Sequence, residues 1–302
     1  MNKVLFSLIA VILFASCKRK ANPDQVVETR TSGEITLIVD ESFSKILDAQ
    51  IEVFQADYPD AQVNAVFGTE KEILPKFFDG KDRLIILSRM LSTQEEEYFK
   101  QKKYLVYTDR FAIDGIALIT NKSNPDSLIT VGEVYDIMRG KSDKKLVFDN
   151  AGSSTVRYFM DSAKVENLPA KGVYTLKTNN DVINYVAANP EFIGVVGINW
   201  LLQYDSSMAS SVLKVKTLSV KGLSGSKGAD KYYKPSQDNL INGKYPLLRN
   251  VYIINSTGTI GLGTGFANWL CGPRGQLIVL KSGLGPHKMM PRQFNIDNTK
   301  KK

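Results

Sequence analysis

The chain has 302 residues, of which 43% are hydrophobic and 10% aromatic, a composition typical of a globular protein large enough for two ordinary domains. Its formal charge of +8 comes mostly from scattered basic residues, and the absence of a basic stripe interleaved with aromatic residues argues against nucleic-acid binding. No internal segment approaches the ~18 apolar residues that a membrane span requires. A mildly basic surface suits an anionic ligand.

The N-terminus is typical of a secreted lipoprotein. A lysine and an apolar run are followed by Ala15-Ser16-Cys17, which predicts a signal peptide over residues 1–16. A small residue directly before a cysteine resembles a bacterial lipobox, so Cys17 is the predicted lipidation site, and a plain secretory signal is the alternative. Residues 17–32 have no periodicity and are predicted to form a lipidated tether.

Three strand-helix units follow the tether. Strands are predicted at residues 35–39, 63–67 and 84–87, and each leads through a polar turn towards a helix. The polar residues at these turns are Ser42, Thr69, Ser88 and Arg89. In open α/β sheets ligands bind beyond the carboxyl ends of the strands, so these turns predict a polar crevice that favours anions.

A fourth unit carries the strongest functional signal in the chain. A predicted strand at residues 146–148 runs into Gly152-Ser153-Ser154-Thr155 and then into a helix from about Val156. Backbone N–H groups and three hydroxyls therefore converge at a helix N-terminus, which predicts an oxyanion-binding cradle. The alternative is that Ser153 or Ser154 only caps the helix.

The chain is predicted to cross between two lobes twice. We place the first crossover between residues 104–110 and a new strand at 116–120, and the second at a strand over residues 250–254. The predicted lobes are residues 33–112 with 250–302 and residues 113–249. Two α/β lobes joined by two crossovers form a hinged clamp with a crevice between them.

Several kinds of site find no support in the sequence. The chain has one histidine, His287, whereas zinc sites, Ser-His-Asp triads and Cys-His dyads all depend on histidine. The glycine-rich residues 261–265 lack the spacing of a dinucleotide-binding fingerprint, and no carboxylate pair stands out as a general acid and base. We therefore predict no metal, no cofactor and no enzymatic activity.

The chain resembles the phosphate-binding lipoproteins of phosphate ABC transporters. The segments that carry this resemblance are Asp114–Ile119, Gly152–Thr155, Val186–Gly194, Tyr245–Leu247, and Gly275-Gln276 with Ser282-Gly283. The resemblance implies an α/β, type II periplasmic-binding-protein fold, in which each of two lobes is a mostly parallel sheet flanked by helices and two crossover segments join them.

The resemblance also implies that hydroxyls, backbone N–H groups, one arginine and one aspartate grip a dehydrated phosphate. The hydroxyl residues of this chain that match are Ser42, Thr69, Ser153, Ser154 and Thr155. Two positions depart from the family pattern, because Arg89 stands where an aspartate is usual and Asp149 where an arginine is usual. This is either a charge swap across the crevice or the mark of a different oxyanion.

Two side chains keep alternative interpretations at this stage. Asp149 is expected to accept a hydrogen bond from a protonated anion and so to disfavour sulfate, unless it pairs with Arg89 or Arg157 away from the ligand. Arg157 is a further candidate cation, and a solvated helix face is its alternative role.

The expected function is capture of inorganic phosphate outside the cytoplasmic membrane and delivery to an ABC permease. The protein is expected to be a monomer that a lipid anchors to a bacterial membrane, facing the periplasm or the cell surface. The alternatives are binding of another oxyanion or a phosphorylated compound, a surface phosphatase, and a phosphate sensor without a transporter.

Overall fold

The computed structural model describes residues 28–288. The predicted signal peptide, the predicted lipidation site at Cys17 and most of the predicted tether lie outside these residues. No helix within residues 28–288 is long and apolar enough to cross a membrane.

The first part of the described chain consists of three strands that alternate with three helices, as the sequence predicts. They are β1 (Gly33–Asp40), α1 (Ser44–Asp57), β2 (Ala61–Gly68), α2 (Glu70–Phe78), β3 (Leu84–Leu87) and α3 (Thr93–Gln101), with a short 3-10 turn at Glu41–Phe43 after β1. β1 pairs in parallel with both β2 and β3. All four residues of β3 are fully buried, which explains its uninterrupted apolar sequence.

A single long strand joins the two lobes. β4 (Tyr107–Asn121) has 15 residues and spans both of the segments between which the sequence placed a crossover. Its first part pairs antiparallel with β11 (Leu248–Asn255), and from Ile116 onwards it pairs antiparallel with β8 (Phe192–Gly197). The partner of β4 therefore changes between Gly115 and Ile116.

The second lobe contains shorter elements between β4 and β11. They are β5 (Leu128–Thr130), α4 (Val131–Met138), β6 (Lys145–Phe148), α5 (Ser154–Ala163), β7 (Val173–Thr175), α6 (Asn179–Ala188), β8, α7 (Asn199–Leu202), α8 (Ala209–Val212), β9 (Val215–Thr217), β10 (Ser219–Lys221) and α9 (Gln237–Ile241). After β11 the chain forms α10 (Leu262–Cys271), α11 (Pro273–Lys281) and β12 (Gly285–Pro286).

One sheet runs through both lobes. Its strand order is β2-β1-β3-β11-β4-β8-β6-β7, with β9 and β12 also paired to β4, while β5 and β10 form a separate pair. The predicted two-lobed α/β fold is confirmed, although the shared strand β4 makes the sheet mixed, because all its pairings are antiparallel. The ends of β1 and β6, the middle of β4 and the start of β11 supply the residues of the candidate site.

Candidate functional site

The cradle predicted at Gly152-Ser153-Ser154-Thr155 lies at the N-terminus of α5. All three hydroxyl residues are buried, with at most 1% of each exposed. Ser153 caps α5, because its Oγ accepts a hydrogen bond from the backbone N–H of Val156 at 3.2 Å. The capping role considered from the sequence is thus confirmed for Ser153, and the hydroxyls of Ser154 and Thr155 face another partner.

That partner is Arg249, which the sequence analysis did not identify as a site residue. Its Nη1 donates to Ser154 Oγ at 3.2 Å and to Thr155 Oγ1 at 3.0 Å. Its guanidinium carbon also lies 4.7 Å from the centre of the Phe43 ring. Arg249 therefore brings a positive charge to the N-terminus of α5.

Arg249 is held by a buried carboxylate on the neighbouring strand. Its Nε donates to Asp114 Oδ2 at 2.8 Å, and the two side chains are 1% and 0% exposed. The pair forms because Arg249 on β11 lies directly opposite Asp114 on β4. The remaining nitrogen, Nη2, is buried and has no hydrogen-bond partner in the described part of the chain. One donor group of a buried cation is thus available to a ligand.

Ser42 lies at the turn after β1, where the sequence placed it. It is 1% exposed, and its hydroxyl has no hydrogen-bond partner among the described residues. Its N–H donates to Asp40 Oδ1 at 3.0 Å. Its carbonyl accepts hydrogen bonds from Asn199 Nδ2 and Trp200 Nε1 at 3.2 and 3.1 Å, which fixes the turn against the second lobe.

Asp149 is fully buried beside the cradle and makes no ion pair with Arg89 or Arg157. Its Oδ1 accepts from Ser153 Oγ, and its Oδ2 accepts from Asn179 Nδ2 at 3.0 Å. Burial raises the pKa of this carboxyl to about 6, although the hydrogen bond from Ser153 and the charge of Arg249 act in the opposite direction. Both of its oxygens are thus occupied by the protein, so its clearest role is to orient Ser153.

Thr69 lies at the start of α2, close to the cradle. It forms a capping box with Glu72, whose Oε2 accepts from Thr69 Oγ1 at 2.9 Å. The N–H of Lys71 donates to the carbonyl of Gly152 at 3.2 Å. A Cβ atom at Gly152 would lie 3.2 Å from both Thr69 Oγ1 and Lys71 Cβ, so a glycine allows the two lobes to approach this closely.

Arg89 and Arg157 occupy a different place from the one that the sequence suggested. Both arginines bind Glu70, with Nε-to-Oε1 distances of 2.8 Å in each case. The other nitrogens of Arg89 bind Glu95 at 2.6 and 2.9 Å, and those of Arg157 bind Asp161 at 2.9 Å and Ser88 Oγ at 3.2 Å. We call these residues the Glu70 cluster: Glu70, Ser88, Arg89, Glu95, Arg157 and Asp161.

The Glu70 cluster bears on the charge swap, which is one of the two interpretations that the sequence left open for Arg89 and Asp149. Every guanidinium nitrogen of Arg89 and Arg157 already has an acceptor within the protein, and none of these hydrogen bonds joins the cradle. The buried cation beside the cradle hydroxyls is Arg249, on a strand to which the sequence analysis assigned no charge-bearing role. Asp114 and Arg249 each lie beside apolar residues within a strand. These two charges were the available signal, because buried charges need a partner.

Two further carboxyls lie at the turn after β1. Asp40 is fully buried, and burial is the largest cause that raises its pKa, while Arg249 and Ser154 lower it. Glu41 is partly exposed, and burial together with the charges of Asp149 and Asp40 raises its pKa to about 7. Within residues 28–288, no group of three or more His, Cys, Asp or Glu side chains is arranged to hold a metal ion.

Comparisons with known proteins agree with this architecture. The phosphate-binding protein PstS of Pseudomonas aeruginosa is 23% identical over 296 residues, which cover 88% of this chain and 87% of that protein. A putative phosphate ABC transporter substrate-binding protein from Clostridium perfringens, solved with bound phosphate, superposes with a TM-score of 0.69 at 20% identity and covers 85% of this chain and 100% of its own.

An ABC-type phosphate transport receptor from Vibrio cholerae superposes with a TM-score of 0.64 at 19% identity, over 84% of this chain and 100% of its own. At these identities the structural likeness establishes the fold. The family described as the PBP superfamily domain matches residues 25–274. The match spans most of the chain and both lobes, and the chain therefore belongs to the PBP superfamily, a family of solute-binding proteins.

Proposed function

We propose that this protein binds inorganic phosphate between its two lobes and delivers it to an ABC permease. The observation that carries the proposal is the buried guanidinium of Arg249, whose Nη2 has no partner in the described chain while its Nη1 binds two cradle hydroxyls. A buried cation with an unused donor beside a helix N-terminus is stabilised by an anion. Arg249 takes the role that the sequence suggested for Arg89.

The proposed ligands come from both lobes. Arg249 and the hydroxyls of Ser154 and Thr155 would bind the anion from one side, and Ser42 from the other. Charge-assisted hydrogen bonds of this kind strengthen when lobe closure removes water. Ser153, whose hydroxyl caps α5 and donates to Asp149, would hold the cradle in place. Thr69, Ser88, Arg89, Asp149 and Arg157 would hold these ligands and the closed cleft in place, because their polar atoms are occupied by protein partners.

The names of the relatives support phosphate as the anion. The matched Pseudomonas aeruginosa protein is named for phosphate binding, and the matched Clostridium perfringens structure contains phosphate. We further propose the lobe boundaries predicted from the sequence, at residues 112/113 and 249/250, and the change of β4 partners between Gly115 and Ile116 supports the first of them. Location outside the cytoplasmic membrane, the lipid anchor at Cys17 and a monomeric state complete the proposal.

Titration calorimetry on the mature protein against phosphate, arsenate, sulfate and molybdate tests this function. We expect one phosphate to bind per chain, with sulfate at least about a hundredfold weaker, because the carboxyls of the cleft repel an anion that carries no proton. Binding of sulfate or molybdate in preference to phosphate would show that the ligand is a different oxyanion.

A phosphorylated compound is the second candidate ligand, and one feature favours it. A groove of about 580 Å³ adjoins Gly152 and Ser153 and is lined in part by Leu74, Val156 and Met160. Such a groove could hold an apolar group attached to the phosphate. Competition by glycerol phosphate and by a phenyl phosphate would reveal this class, and release of the phenol would reveal a phosphatase.

A further inference from the structure

Two side chains of the second lobe hold the turn that carries Ser42. Trp200 Nε1 and Asn199 Nδ2 donate to the carbonyl of Ser42 at 3.1 and 3.2 Å. Both donors lie on α7, which follows β8, whereas Ser42 follows β1. Because Asn199 is fully buried and Ser42 is 1% exposed, water is largely excluded from this carbonyl. The backbone of Ser42 is therefore held in place by the second lobe.

A second contact attaches the same segment to α1. Lys45, in the first turn of α1, binds Asp205 Oδ2 at 2.7 Å. Its Nζ also lies 5.7 Å from the centre of the Trp200 ring. We call these residues the α7 cluster: Ser42, Lys45, Asn199, Trp200 and Asp205. The α7 cluster joins both the turn after β1 and the start of α1 to the second lobe.

The α7 cluster also borders Arg249, whose Nη2 has no hydrogen-bond partner within residues 28–288. Gly197 is the last residue of β8, and a Cβ atom there would lie 3.3 Å from Arg249 Nη2 and 2.6 Å from Asn199 Oδ1. Asn199 therefore contacts Ser42 through its Nδ2 and directs its Oδ1 towards the surroundings of Arg249. The end of β8 and the start of α7 thus lie against both of these proposed anion ligands.

We infer that Trp200 and Asn199 are positioning residues for the bound anion. They would act through the hydroxyl of Ser42, which has no hydrogen-bond partner in the described chain, whereas the N–H of Ser42 donates to Asp40. A hydroxyl that is already in position binds an anion without the entropic cost of ordering its turn. This inference rests on the proposed function and adds to it residues that do not touch the ligand.

A double-mutant cycle measures whether Trp200 acts through Ser42. Calorimetry gives the phosphate dissociation constants of the unmodified protein, of Trp200→Phe, of Ser42→Ala and of the double variant. Trp200→Phe removes the N–H donor and keeps an aromatic ring, so we expect the dissociation constant to rise about five- to tenfold. In the Ser42→Ala protein the same change should raise it less than about twofold, because the hydroxyl that Trp200 positions is absent.

Asn199→Ala provides a second measurement at the same carbonyl. It removes the Nδ2 donor together with Oδ1, a buried acceptor that has no hydrogen-bond partner among the described residues, so we expect the variant to fold. The dissociation constant should rise about three- to tenfold, and again much less in the Ser42→Ala protein.

The matched control is Trp269→Phe, which changes the other tryptophan of the chain. Trp269 lies on α10, and its Nε1 donates to Asp57 Oδ2 at the end of α1, at 3.4 Å. This variant loses the same kind of N–H donor, but not one that holds Ser42. Its phosphate dissociation constant should equal that of the unmodified protein.

Thermal melts separate positioning from stability. A purely structural role would lower the melting temperature of Trp200→Phe and leave its phosphate dissociation constant unchanged. That result, or an equal effect of Trp200→Phe with and without the Ser42 hydroxyl, would overturn this inference and leave the proposed function intact. Absence of phosphate binding by the unmodified protein would overturn both.

Discussion

Two arginine-carboxylate groups lie near the cleft, and they differ in burial and in completeness. Arg249 and Asp114 have 1% and 0% of their side chains exposed, whereas Arg89 and Arg157 in the Glu70 cluster have 22% and 31% exposed. Every guanidinium nitrogen of Arg89 and Arg157, which are partly exposed, has an acceptor, but Arg249 retains an unpartnered Nη2 within the described chain.

This difference separates a binding group from a structural one. An ion pair whose hydrogen bonds are complete has little to offer a ligand, and when it is partly exposed it contributes only modestly to stability. A buried cation whose hydrogen bonds are incomplete gains most from an added anion. The Glu70 cluster instead joins α2 of one lobe to α5 of the other through Glu70 and Arg157.

Removing the buried cation should have the largest effect. Arg249→Met is expected to weaken phosphate binding by about 3–5 kcal/mol, because it removes the anion's charge partner and leaves Asp114 unpaired. Calorimetry measures the loss. Arg249→Met with Asp114→Asn serves as a control for folding, since it leaves no unpaired charge, and an affinity close to that of the unmodified protein in either variant would contradict the proposed site.

The cradle hydroxyls test whether Arg249 acts together with α5. Ser154→Ala combined with Thr155→Ala should weaken phosphate binding by about 2–4 kcal/mol, since each hydrogen bond to a charged group contributes about 1.5–3 kcal/mol and the two are not additive. Thr130→Ala, at the cap of α4, removes a comparable hydroxyl elsewhere and should leave the affinity unchanged. Equal affinities in the two proteins would remove the cradle from the site.

The pH dependence of stability distinguishes the two groups without a ligand. Burial raises the pKa of Asp149 to about 6, so the folded protein binds more protons than the unfolded chain between about pH 4 and 6. This stabilisation is present below the unfolded pKa and is lost as pH rises through the folded pKa. Thermal melts should show ligand-free stability falling by about 1–3 kcal/mol towards pH 7.

Asp149→Asn should flatten this fall in stability. Glu95 in the Glu70 cluster should behave in the opposite way, because hydrogen bonds from Arg89 and from Ser92 outweigh the effect of burial and lower its pKa. Glu95→Gln should therefore remove stability that is present above its unfolded pKa. A melting temperature that does not change with pH in the unmodified protein would contradict the burial argument.

Breaking the connection between the lobes should have a smaller effect. Glu70→Gln weakens the contacts to both arginines, so we expect the dissociation rate of phosphate to rise about three- to tenfold, with little change in the association rate. Stopped-flow fluorescence measures both rates. Lys144→Met, which breaks the more exposed Lys144–Glu133 pair within the second lobe, is the matched control, and an equal effect of the two changes would show that the Glu70 cluster has no special role.

The smallest effect is expected at Arg89. Its nitrogens bind Glu70 and Glu95, so Arg89→Met should change phosphate affinity by less than about threefold. Loss of binding in Arg89→Met but not in Arg249→Met would restore the assignment made from the sequence.

Local patterns in the sequence predicted most of the elements and the cradle. The structure contains capping boxes at Ser92 with Glu95 and at Thr130 with Glu133. Their pattern can be read in the sequence, because a capping box depends on residues three positions apart. The hydroxyl residues Ser42 and Ser153 also lie at the predicted turns. Hydrophobic alternation and strand-end turns are local properties that a single sequence records.

The charge partners could not be predicted in this way. Arg249 and Asp114 are 135 positions apart, and only the register of β11 on β4 places them opposite each other. The two carboxylates that accept from Arg89 belong to different helices, and one of them, Glu95, also forms a capping box with Ser92. Long-range pairing decides which arginine is free to bind a ligand.

Arg249 lies on β11, which is paired with β4, and this position affects how a ligand is captured. β4 runs from one lobe into the other, and Arg249 lies opposite its Asp114, beside the change of strand partner between Gly115 and Ile116. We therefore expect the cation to lie near the pivot about which the lobes would rotate. An open protein would therefore keep its positive centre and its Asp114 support intact. We expect the first encounter with an anion to be electrostatically guided to the pivot before closure, so that capture slows as salt concentration rises.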